Sequence, residues 1–203
     1  MPVTEAASEE RLQRELLRLQ QTPGWREEGW TRREIMEEVD PEFINHADHY
    51  ERMLSGGTCE DGTAYPGTKG IRSVTLRADE KKADVIIDGS REWDPEEHSY
   101  LNYVRFMNYP RIRRLEGLTW PDKARLLLRD QMRLHCTCPA YRFFYRYGAT
   151  EKGFALLAED RPSGITNPDL RGAVCKHLAR TLTYLGAWYP RIATGMRQHH
   201  GGS

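Results

Sequence analysis

Two short pairs, Cys136-Thr137-Cys138 and Cys175-Lys176-His177, constrain this chain more than any other feature. Three of its four cysteines fall in these pairs, too few and too tightly spaced for a disulfide scaffold. Thiolate and imidazole are the ligands zinc prefers, and a chain commonly builds a tetrahedral site by bringing two chelating pairs together from distant positions. Cys136, Cys138, Cys175 and His177 are therefore the expected ligands of one zinc ion.

The pairs demand different backbones. Cys-X-Cys suits the end of a strand entering a turn, and Pro139 supports that turn because its φ is fixed. Residues two apart on a regular helix lie about 200° apart around the axis. Cys175 is thus expected at or just before a helix start, with His177 in the first turn. Leu178, Leu182 and Leu185 continue at helical spacing, and Gly186 and Pro190 are expected to end that helix. The residues after it, including His199 and His200, read as a flexible end without a role.

Upstream, Leu12, Leu16, Leu17 and Leu19 give a helical stripe that should stop near Pro23-Gly24. A short helix is expected over 32–38. Another should open at Asp40-Pro41 and bury Phe43, Ile44, Ala47, Tyr50 and Leu54. The Gly-rich stretch to Gly70 reads as a loop, and the acidic 92–97 as a solvated one. Runs at 71–76 and 83–87 alternate like a hairpin, and 100–107 reads as a third strand. Thr119-Trp120-Pro121-Asp122 resembles a capping box ahead of 124–128, and 132–134 looks extended into the first cysteine pair. The fold class is α+β: a helical N-terminal region over 1–58, then a mixed domain over 71–198 with a small antiparallel sheet and a ββα zinc unit.

The pattern His135-Cys136-Thr137-Cys138-Pro139 with Val174-Cys175-Lys176-His177-Leu178 resembles the SWIM-type zinc finger, Cys-X-Cys followed by Cys-X-His. The resemblance implies the same four ligands and a ββα unit. Its insert, the 36 residues 139–174, is longer than that family usually carries. The insert, with its Tyr141–Tyr147 run and Thr166-Asn167-Pro168-Asp169-Leu170, also looks like zinc-binding structural proteins of tailed bacteriophages. That second resemblance implies a virion or assembly component.

Four good ligands close a zinc shell, so the metal is expected to be structural and the chain not an enzyme. No phosphate-binding Gly motif or Ser-His-Asp signature occurs. Thirty Lys+Arg balance thirty Asp+Glu, so any contact with nucleic acid must be local, and other protein subunits are the expected partners rather than a small-molecule substrate. The alternative is a nucleic-acid-binding module using Arg142, Arg146 and the neighbouring aromatics. The early residues lack an apolar leader run and no eighteen-residue apolar stretch occurs, so synthesis in a cytoplasm, without membrane insertion, is expected. Arg111, Arg113 and Arg114 read as a solvated cluster, as do His46, Asp48 and His49, while Cys59 has no visible partner and His135 is placed beside the zinc shell.

Overall fold

Alternation of buried β-branched residues with polar ones drives the sheet, and the chain pairs where that alternation predicts. The structure, a computed structural model, describes residues 5–21, 29–44, 70–89 and 99–201. Strands β1 (Trp30–Thr31), β2 (Ile71–Arg77), β3 (Lys82–Asp88), β4 (Ser99–Phe106) and β5 (Gln131–Cys136) form one antiparallel sheet in the order β1-β5-β4-β3-β2. Helices are α1 (Glu5–Gln20), α2 (Arg32–Glu37), α3 (Tyr109–Ile112), α4 (Trp120–Leu127), α5 (Arg146–Glu151), α6 (Lys176–Tyr184) and α7 (Tyr189–His200). The architecture is α+β, as the sequence implies.

One face of the sheet holds the core. Ala83, Val85 and Ile87 of β3, Val104 and Phe106 of β4, and Met132 and Leu134 of β5 are all fully buried on it. Helix α6 covers this face through Leu178 and Leu182, both fully buried, which is worth roughly 1.5–3 kcal/mol for each side chain. Helix α7 packs beside it, with Gly195 against Leu76 of β2.

Local signals act where they stand. Thr31 caps α2 and Thr119 caps α4, each in a reciprocal box with Glu34 and Asp122. Asp40 accepts from the Glu42 N–H at 3.0 Å, but only a turn follows through Ile44. Ala47, Tyr50 and Leu54 of the expected helix, the Pro23-Gly24 stop, the Gly-rich stretch before Gly70 and the acidic 92–97 lie outside the described residues.

Three expectations need correction. Leu17, placed in the buried stripe of α1, is half exposed, whereas Leu12 is buried. The helix that Cys175 opens does end near Gly186, as expected, but Pro190 takes no part in that stop. Helix α6 stops at Tyr184, a tight turn spans Leu185–Trp188, and Pro190 then sits in the first turn of α7, where its missing N–H costs nothing. His199 and His200 accordingly belong to a packed helix. His200 Nε2 lies 3.1 Å from the Tyr109 hydroxyl, and His199 Nε2 lies 2.9 Å from Asp79. Among the described residues no helix is long and apolar enough to cross a membrane.

Candidate metal centre

The first pair of ligands sits where β5 stops. Cys136 is its last residue, opposite Asn102 of β4. Thr137 then leaves the ladder but stays tied to β4: its N–H donates to the Leu101 carbonyl and its hydroxyl accepts from the Leu101 N–H, both at 3.0 Å. That clamp turns Thr137 away from the core and both cysteine sulfurs into it. The backbone then curls over the sulfurs. The Cys138 N–H points at Cys136 Sγ at 3.4 Å, and the Tyr141 N–H at Cys138 Sγ at 3.3 Å.

The second pair opens α6. Cys175 is the N-cap in an extended conformation (φ −78°, ψ 163°), and His177 lies in the first turn, as helix geometry requires of residues two apart. Asn102 holds that turn in place. Its Nδ2 donates to the His177 carbonyl at 3.2 Å and to Thr181 Oγ1 at 2.6 Å.

Cys136, Cys138, Cys175 and His177 are all buried, and their ligand atoms lie within 4.8 Å of one another. A tetrahedral zinc with Zn–S bonds of ~2.3 Å has S···S edges of about 3.8 Å. The cluster therefore needs to close by only about an ångström to hold an ion. Both ring nitrogens of His177 are buried without a hydrogen-bond partner, a costly state for an imidazole unless one nitrogen is a ligand. The donor set fits a metal on this count.

Electrostatics point the same way. Burial pushes the Cys136 and Cys175 thiols up, while hydrogen bonds from those two sulfurs hold Cys138 well below the usual thiol range. Burial also lowers His177, keeping it neutral as ligation requires. Three sulfurs crowd one point, and a cation relieves their mutual repulsion. The cysteines are free thiols, with no disulfide among the described residues.

His135 stands outside the ligand set. Its ring stacks with Tyr103 at 5.9 Å and meets the edge of Tyr141 at 5.4 Å. His46, Asp48, His49 and Cys59 lie outside the described residues.

The insert is folded rather than a loose loop. A wide π-helical turn at Tyr141–Tyr145 runs into α5, and the chain then docks on β5, with Leu156 N–H bonded to the Leu134 carbonyl at 2.7 Å. Tyr141 and Tyr145 are buried, and the Tyr145 hydroxyl donates to the Phe43 carbonyl at 2.8 Å. Of the expected basic pair, Arg142 is exposed beside the Phe143 ring, but Arg146 is engaged by the Leu157 and Ala158 carbonyls and by Glu159.

Two residues organise the site in roles that no motif announces: Asn167 lies in the 166–170 run, and Asn102 lies in none. Asn167 is buried and donates to the Phe144 and Arg171 carbonyls at 3.0 Å while accepting from the Arg171 N–H at 2.8 Å, so it closes the return of the insert. Asn102 has as its only signal a polar residue on the apolar face of a strand. Gly172 (φ +64°) completes the return toward Cys175, where an added Cβ would also press Asp40 Cβ at 3.2 Å. Comparison of the chain with known protein families, with curated proteins and with solved structures finds no match.

Proposed function

We propose that this is a non-enzymatic protein in which one structural zinc, held by Cys136, Cys138, Cys175 and His177, fixes a protein-docking surface. Three thiolates and an imidazole are a soft donor set that selects zinc over the hard cations, and four protein ligands leave no coordination position for a substrate. The ion ties the end of β5 to the start of α6, and the insert spans the gap between them. The ligand spacing resembles that of a SWIM-type finger with a larger insert.

One observation carries the docking reading. Phe143, Phe144, Leu157 and Ile165 are 55%, 37%, 50% and 97% exposed, and all four lie in the insert. They are tethered to one another: Thr166 Oγ1 donates to the Phe143 carbonyl, Asn167 to the Phe144 carbonyl, and Arg146 to the Leu157 carbonyl. Large apolar side chains held out by a rigid frame suit a protein partner. The assembly we name is the virion of a tailed bacteriophage, on the resemblance of the insert sequence. The nucleic-acid alternative loses Arg146 to internal bonds and keeps only Arg142.

The test is incorporation. Particles purified from the host should contain the chain in fixed copy number by quantitative mass spectrometry. A Phe143→Asp, Ile165→Asp variant that still binds zinc should be absent from them. Particles lacking the wild-type chain would overturn the assembly reading, and full incorporation of the variant would overturn the insert as the docking surface.

A further inference from the structure

The second face of the sheet carries a row of cations that neither the metal centre nor the insert uses. Register places Arg77 opposite Lys82, Lys82 opposite Arg105, and Arg105 opposite Arg133. Four cations thus form one row across four adjacent strands. At ~4.8 Å per strand, the row is about 14 Å long. All four belong to the face opposite the core: their strand neighbours Leu76, Ala83, Val104 and Leu134 point the other way. Helices α6 and α7 reach the sheet on that core side, through Asn102 and Leu76.

Like charges directly opposite one another destabilise a sheet, and neighbouring groups offset part of that cost here. Acidic groups stand beside its β2–β3 half. Asp84 lies 3.0 Å from Arg77 and 3.6 Å from Lys82, and Glu80 lies 2.8 Å from Lys82. The half on β4 and β5 consists of Arg105, which is exposed, and Arg133, which is half-buried. Two residues along the strands runs a parallel row, Asp84, Tyr103 and His135, in which the two rings are stacked at 5.9 Å and Lys82 lies over Tyr103 at 4.3 Å.

We infer that this face is a binding surface for single-stranded nucleic acid, with phosphates along the Arg77–Lys82–Arg105–Arg133 row and bases toward Tyr103 and His135. A polynucleotide presents one charge per unit along one edge and a planar base beside it. A line of cations bordered by rings, one pleat repeat of ~7 Å away, matches that layout. The chain is neutral overall, so no bulk field assists and the contact is local. The surface borders the metal centre at His135, which meets Tyr141 of the insert, but none of its four cations belongs to the Cys/His cluster or to the insert.

Fluorescence anisotropy with labelled dT20 tests this on the full-length, zinc-loaded protein. Single strands lose about 0.7 in log K per phosphate contact for each decade of salt, so two to four contacts, depending on whether Arg77 and Lys82 leave their carboxylates, predict a slope between about −1.4 and −2.8. The Arg105→Ala, Arg133→Ala variant, measured at a temperature where its melt shows it folded, should lower the slope by about 1.4, while the double Lys variant keeps it. Arg142→Ala, in the insert, should change nothing. Absence of salt-dependent dT20 binding overturns the proposal, and so does loss of binding in Arg142→Ala but not in the sheet variant. Equal binding of poly-glutamate at the same arginines overturns it in favour of an acidic protein segment. None of these outcomes bears on incorporation through Phe143 and Ile165.

Discussion

Asn102 on β4 donates to the backbone carbonyl of His177 at 3.2 Å, so a strand outside the Cys/His cluster fixes the helix turn that carries half of it. The same amide reaches Thr181 one turn further on at 2.6 Å. Partners of this kind typically change metal affinity roughly 10–100-fold when removed, because a ligand that wanders loses its chelate geometry. Asn102→Ala should therefore weaken zinc binding by at least about tenfold in a chelator competition. Its two lost hydrogen bonds and its cavity should lower unfolding stability by about 2–3 kcal/mol in urea. Unchanged zinc affinity would leave Asn102 with a packing role alone.

Asp130, at the bend between α4 and β5, is buried with Oδ2 unpartnered, while Oδ1 accepts from Asn108 Nδ2 at 3.2 Å. Burial raises its pKa from 3.8 to about 7, against the opposing hydrogen bonds from Gln131 and Asn108. Below about pH 4 the carboxyl is protonated whether the chain is folded or not. Between that point and about 7 only the folded chain keeps the proton, so this contribution to stability falls as pH rises through the window and is gone above it. Asp130→Asn keeps the acceptor without the charge. It should stabilise the protein at pH 8 by up to a few kcal/mol, since each tenfold change in proton affinity is worth roughly 1.4 kcal/mol, and flatten the dependence between about pH 5 and 7. Denaturation at several pH values measures both.

Gly195 pits two effects against each other. Alanine would improve the helix propensity of α7 by about 1 kcal/mol. Its Cβ, however, would lie 2.9 Å from Leu76 Cβ and 3.3 Å from Leu76 Cδ2, and Leu76 Cβ is fixed to the strand. Overpacking of that kind typically costs about 1–3 kcal/mol. Packing should win, with Gly195→Ala less stable by about 1 kcal/mol in urea titration. A more stable variant would mean that α7 slides freely on β2.

The Cys/His cluster that could hold a metal is legible in the sequence because its chemistry is carried by residue type and spacing. Cys-X-Cys and Cys-X-His each chelate locally, and the N-cap position of Cys175 follows from helix geometry alone. The hairpin and the Thr119 capping box are legible for the same reason, as their signals span only a few residues. Pro190 is ambiguous because proline stops one helix and opens another with equal ease, and only the packing of α7 against Leu76 decides between them. The roles of Asn102, Asn167 and the Arg77–Arg133 row depend on register between distant segments. A row of four cations spread over residues 77, 82, 105 and 133 has no local signature, and it exists only once the strands are paired.

Metal content measured together with folding tests the central claim most directly. X-ray fluorescence of the purified protein should give one zinc per chain, and a strong chelator should release it with loss of the cooperative thermal transition, since ligands drawn from separated segments make binding energy folding energy. Cys136→Ser should lose the metal in the same way. A metal-free chain that melts at the same temperature as untreated protein, with Cys136, Cys138 and Cys175 still protected from thiol reagents, would contradict the account.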